Sequence, residues 1–96
     1  MSNPEQEYDS IFALPHLANL ILLLSDRGEI QASELRIVSK NYAKIAILAR
    51  ELEKAGLIEI SIINSPRVSH NYRLTEKGKL VAEKLREIEI IIKRKL

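Results

Sequence analysis

Ninety-six residues, 46% of them apolar and 29% charged, suit one folded domain and leave no room for a second core. The absence of cysteine excludes disulfides, thiolate metal sites and cysteine nucleophiles. The net charge of +2 is unevenly spread. Residues 1–35 carry one base against six acids, whereas residues 36–96 carry fourteen bases against seven acids. A basic half on a nearly neutral chain points to an anionic partner met on one side.

The opening "MSNPEQEYDS" has acidic residues and no basic run ahead of an apolar block, unlike a signal peptide. The longest apolar block, "LANLILLL" from Leu17 to Leu24, falls far short of the ~20 residues that cross a bilayer. A cytoplasmic protein without a membrane span is expected. "YDSIFAL" holds enough apolar residues for a helical turn, which Pro15 breaks or kinks. Pro15 itself is placed as the first residue of a helix over "HLANLILLLSDRGE". Leu17, Leu20, Ile21 and Leu24 form its inner stripe, and Gly28 ends it. Glu29-Ile30 reads as a short extended pair. A short helix then starts at Ser33 or the residue before it, buries Leu35 and Val38, and is interrupted at Ser39.

The clearest helix is "SKNYAKIAILARELEKAGLI", with Ser39 expected to cap it. Ile45, Leu48, Ala49 and Leu52 make its apolar stripe, and Gly56 suits a left-handed helix end. "LIEISII" alternates, with Ile58, Ile60 and Ile62 on one face. The turn Asn64-Ser65-Pro66 leads to Arg67 and then to a second strand, His70–Leu74, whose Tyr72 and Leu74 face inward. Thr75 caps a last helix running toward Lys95, and Gly78 in its first turn permits close approach of another backbone.

The order helix, helix, helix, hairpin, helix, with the short turn "SKN" before the third helix, is that of a winged helix-turn-helix. The fold class is therefore α+β and mostly helical, with three helices, a two-stranded wing and a long C-terminal helix. A single domain spans residues 1–96, with its core at about 15–78 and the last helix at about 75–95. An amphipathic third helix docks one flank on the first two and leaves the other free, and such a helix fits the ~12 Å major groove of DNA.

"LEKAGLIEI" (Leu52–Ile60) followed by "YRLTEKGKLVAEKL" (Tyr72–Leu85) resembles the second half of archaeal and bacterial winged-helix transcription regulators, the MarR-like group in particular. The resemblance covers residues 29–85. It implies a homodimer that binds double-stranded DNA and regulates transcription, with the recognition helix in the major groove and the wing on the backbone or in the minor groove. Carried over position by position, it places Ser39, Lys40, Asn41, Tyr42 and Lys44 in the turn and early recognition helix, and Arg67 and Ser69 in the wing. Arg50 and Arg73 are further candidates for phosphate contact. Two departures stand out. Ile47 and Leu48 occupy positions where the family often has polar or basic residues. Such side chains either meet thymine methyls or are buried, and burial is the expectation. The acidic residue that many members place before the wing arginine is missing from "NSPRV".

In the last helix, "LVAEKLREIEIIIKRKL", Val81, Leu85, Ile88 and Ile92 repeat at 4-3-4 spacing, and Ile90 and Ile91 widen that seam. Pairing two copies, with Ile11, Phe12 and Leu14 alongside, would remove it from water. The dimer seam expected is thus Ile11, Phe12, Leu14, Val81, Leu85, Ile88, Ile91 and Ile92; a fold-back onto the helix's own core is the alternative. The terminal "KRK" either approaches DNA or complements the helix dipole. No cofactor is expected. His16 and His70 are too isolated for a metal site, and no nucleophile–base pair stands out, so an enzyme is not expected. A small-molecule effector between the dimer helices is compatible with this plan, without a residue to identify it. Competing functions are a winged-helix protein-interaction module and a low-specificity chromatin-type DNA binder. Heavy use of isoleucine is compatible with a thermophilic source.

Overall fold

The computed structural model describes residues 10–64 and 66–94. Tyr8 and Asp9 of the expected first turn, Ser65 of the wing turn and Lys95 of "KRK" lie outside the described residues. A 3-10 turn, Ile11–Ala13, precedes helix α1, Leu17–Arg27. Strand β1, Glu29–Gln31, runs into a 3-10 helix, Ala32–Ile37. Helix α2, Tyr42–Lys54, is followed by strands β2, Ile58–Ile63, and β3, Ser69–Leu74, and then by the long helix α3, Glu76–Lys93.

Two helix starts and one helix type differ from the sequence expectation. Pro15 is not the first helical residue. Leu14 before it is extended (ψ 123°), as a residue preceding proline prefers, and His16 takes a left-handed φ of 67°, so α1 starts only at Leu17. The second helix starts at Ala32, within the expected bounds, but is a 3-10 segment. The Gln31 backbone N–H donates to Glu34 Oε2 (2.7 Å) and the Gln31 side chain accepts in return, a reciprocal cap. Third, Asn41 rather than Ser39 caps α2. Its Oδ1 accepts the Lys44 backbone N–H at 3.2 Å, while Ser39 Oγ accepts that of Asn41 at 3.1 Å.

The wing is part of a three-stranded antiparallel sheet in the order β1-β3-β2, because the extended pair beginning at Glu29 also joins β3. Register sorts the side chains. Ile30, Tyr72 and Ile60 form one cross-strand row on the inner face, and Glu29, Arg73 and Glu59 form the row beside it on the outer face. The inward series on β2 fades toward the wing tip: Ile58 is buried, Ile60 half-buried and Ile62 exposed. The core below that row unites Leu20, Ile21, Leu24, Ile30, Leu35, Ile45 and Leu52, each fully enclosed. Each such side chain contributes roughly 1.5–3 kcal/mol by leaving water.

Helix α3 is divided in its allegiance. Gly78 and Ala82 are buried, and Val81 and Leu85 pack half-buried on the molecule's own core. The last two therefore take the fold-back alternative, because their heptad-like spacing also matches the groove beside α1. Arg86 fastens this half by donating to Asp26 near the end of α1 and to Glu89 (3.0 Å). Beyond it, Ile88, Ile90, Ile91 and Ile92 are exposed, as is Leu80.

Candidate nucleic-acid interface

At about 100° per residue, the buried quartet Ile45, Leu48, Ala49 and Leu52 fixes the orientation of α2. The opposite ridge is then Ala43, Ile47, Arg50 and Lys54, all exposed. Lys44 and Glu51 flank it on one side, and Tyr42, Ala46 and Glu53 on the other. Leu48 is buried as expected. Ile47 is not: it is 60% exposed in the middle of the outer ridge. The four inward residues already contained that answer, since their common phase leaves no inward place for position 47. Ala43 and Lys54 are the ridge residues that sequence reasoning passed over, and Ile47 is the one it expected to be buried.

Lys40 and Lys44 stand at the amino end of this ridge, both exposed. Their pairing state separates them from half of the described bases of the chain. Arg27, Lys54, Arg73, Lys79, Lys84, Arg86 and Lys93 each have a carboxylate partner. Among the described residues, Lys40, Lys44, Arg50 and Arg67 have none, and neither do Arg36, Lys77 and Arg94. An unpaired surface cation meets a phosphate without first giving up a salt bridge.

The hairpin carries Arg67 in the exposed loop between β2 and β3, followed by exposed Val68 and half-buried Ser69. An open recess of about 550 Å³ beside it is lined by Gln31, Ser33, Pro66, Arg67, Ser69 and His70, among others. A second cleft, about 320 Å³, separates α2 from the wing and is lined by Tyr42, Arg50, Glu53, Ile62, His70 and Tyr72. Tyr42 thus lines this cleft rather than the outer ridge. Burial raises the Tyr72 phenol above its ordinary value of 10.0; Tyr42 and Glu53 push the same way and Arg50 opposes them.

Arg73 is a different case from Arg50. Its Nε and Nη2 both donate to Glu59 Oε2, at 3.0 and 2.8 Å. That hydrogen bond, with the Glu59 and Glu29 charges, raises its pKa further. It lies on the outer face of the sheet between two carboxylates, which makes it a poor phosphate ligand. Ile11 and Phe12 are exposed, while Leu14 sits in an apolar recess of about 190 Å³ against Lys44, Ile47 and Leu48. Among the described residues, no group of three or more His, Cys, Asp or Glu is placed to hold a metal ion. No helix among them is long and apolar enough to cross a membrane.

A helix reached through a short turn, with a three-stranded antiparallel sheet carrying the wing behind it, defines a winged helix-turn-helix fold. The chain belongs to the HxlR-like helix-turn-helix family, which matches residues 18–96. Solved structures share the fold. A transcriptional regulator homologue from Pyrococcus horikoshii is similar at 19% identity, with a TM-score of 0.74 over 85% of this chain and 84% of that one. The reduced form of the regulator YodB from B. subtilis is similar at 24% identity, with a TM-score of 0.66 over 94% and 90%. FabT from Streptococcus pneumoniae, solved in complex with DNA, is similar at 22% identity, with a TM-score of 0.64 over 79% of this chain and 54% of that one. No curated protein is matched.

Proposed function

We propose that this protein is a sequence-specific regulator that binds double-stranded DNA as a homodimer, with α2 in the major groove and the wing on the backbone or in the minor groove. The observation that carries the reading is the outer ridge of α2, which is exposed among the described residues and flanked by Lys40, Lys44 and Arg50, none of them paired with a described carboxylate. Lys40 and Lys44 serve as phosphate contacts that set the register of the helix on the duplex. Ser39 and Asn41 hold the turn, and Tyr42 closes the cleft toward the wing. Arg67, with Ser69 behind it, meets the flanking backbone or a narrow minor groove, whose negative potential favours arginine.

The dimer is supported by the apolar face of α3. Leu80, Ile88, Ile91 and Ile92 are 49–76% exposed and fall on one side of the helix. Pairing this side with a second copy covers a surface that would otherwise promote aggregation. A two-fold dimer places its two α2 helices about 34 Å apart, one turn of DNA, so a palindromic site is expected.

Selection of bound fragments from random duplexes, with the mass of the complex in solution, tests this reading. The expected result is an enriched palindrome carried by two copies of the chain, with an affinity that falls steeply with salt. Retention of duplexes without preference would leave only a low-specificity binder. No retention at all would contradict the reading.

A further inference from the structure

The ridge of α2 is not uniformly polar. Ala43 and Ile47 stand one above the other on it, four residues apart, with Ile47 at 60% exposure. On a helix, such a pair has its Cβ atoms about 5–6 Å apart. This apolar spine is bordered by Lys40 and Lys44 at its amino end and by Arg50 at its carboxyl end; Lys54, further on, is paired with Glu51 at 3.5 Å. On one side Ile47 also borders a small apolar recess with Leu14, Pro15 and Leu48. An apolar patch flanked by cations that no described carboxylate pairs is a poor surface for a neutral protein partner, which would bury those charges without compensation. It is the right surface for a polyanion that carries methyl groups on its inner floor.

Resting on the function proposed above, we propose that Ala43 and Ile47 read thymine, by placing their methyl groups against the C5-methyl groups of thymines on the floor of the major groove. The C5-methyl is the only apolar group that the base pairs present there, and it separates thymine from cytosine at the same edge. A spacing of about 5–6 Å on the helix matches one to two base steps, at roughly 3.4 Å each per strand. The two side chains therefore specify thymines within two base steps of one another, on either strand. Ile47 carries more of the discrimination, having the larger apolar surface, and Ala43 sets how closely the helix approaches.

The test replaces thymine by deoxyuridine, one position at a time, in a duplex the protein prefers. This change removes one methyl group and leaves every hydrogen-bonding group in place. One or two replacements are expected to weaken the wild-type protein about fourfold each. Ile47→Ala is expected to bind the unmodified site several-fold more weakly and to be indifferent at one of those positions. Because Ile47 is exposed, the variant should fold as the wild type does, and its unfolding midpoint checks this. If the wild type binds its site and ignores every thymine methyl, the assignment is overturned while the proposed function stands. If the wild type binds no duplex, both fall. If Ile47→Ala changes the mass of the particle in solution and keeps the wild-type response to deoxyuridine, the ridge is a protein contact and the assignment is wrong.

Discussion

Gly78 lies directly beneath the carbonyl of Leu57: a Cβ on Gly78 would come within 2.0 Å of that oxygen and 3.1 Å of Leu74 Cδ2. Around this contact, Thr75 Oγ1 donates to the Gly56 carbonyl (2.6 Å) and accepts the Gly78 N–H (3.0 Å), and the Thr75 N–H donates to the Leu57 carbonyl (3.0 Å). Lys77 Nζ reaches the Ala55 carbonyl at 2.8 Å. The two sequence motifs, Leu52–Ile60 and Tyr72–Leu85, are therefore two halves of one joint. That joint fastens the end of α2 and the base of the wing to the start of α3.

Gly78→Ala should thus be costly out of proportion to its size. The obstacle is backbone, which cannot rotate away, so a loss of at least about 2 kcal/mol is expected. Urea unfolding measures it. Thr75→Val should lose a cap and a donor, about 1 kcal/mol.

Asn41 has a structural task that any base contact must share. Since its Oδ1 is committed to the Lys44 N–H, Asn41→Ala should cost about 1 kcal/mol in the free protein. Asn41→Ser should recover most of this. A thermal melt of each variant without DNA separates this helix-end effect from any change in sequence preference.

The two arginines of the wing should behave differently. Arg67→Ala is expected to weaken binding to all duplexes and to lower the magnitude of the log–log salt slope by about 0.9, the value for one phosphate. Arg73→Ala should leave that slope unchanged, because its guanidinium is held by Glu59 on the outer face of the sheet. It should leave the stability of the hairpin nearly unchanged, as exposed pairs do. Titrations at several salt concentrations give both values.

The exposed face of α3 predicts which isoleucines hold the dimer. Ile88→Glu and Ile91→Glu should produce monomers in sedimentation equilibrium. Ile90→Glu should not, since two residues advance the helix by about 200° and place Ile90 on the far side from Ile88.

The order of elements was legible in the sequence because most of them bury a periodic face, and the two joint motifs added the connection between them. The start of α1 was not legible, because nothing in the pattern signals the left-handed His16 that follows Pro15. Nor was the cap of α2: Ser39 and Asn41 both have capping side chains, and only the path of the turn decides between them. The state of Arg73 depends on which residue of β2 stands opposite it, and that register is set by a turn whose length the sequence leaves open. The spacing of Val81 and Leu85 fits a seam between copies as well as a groove beside α1. Spacing alone does not say which surface fills it.

Lysine footprinting tests the central claim most directly, namely that the outer ridge of α2 is the surface offered to DNA. The protein is acetylated alone and with its preferred duplex, and each lysine is followed by mass spectrometry. Lys40 and Lys44 should be protected by the duplex, while Lys79 and Lys84, on α3 and paired with Glu76 and Glu87, should react as before. Unchanged reactivity at Lys40 and Lys44, with protection of Lys79 and Lys84, would contradict the account.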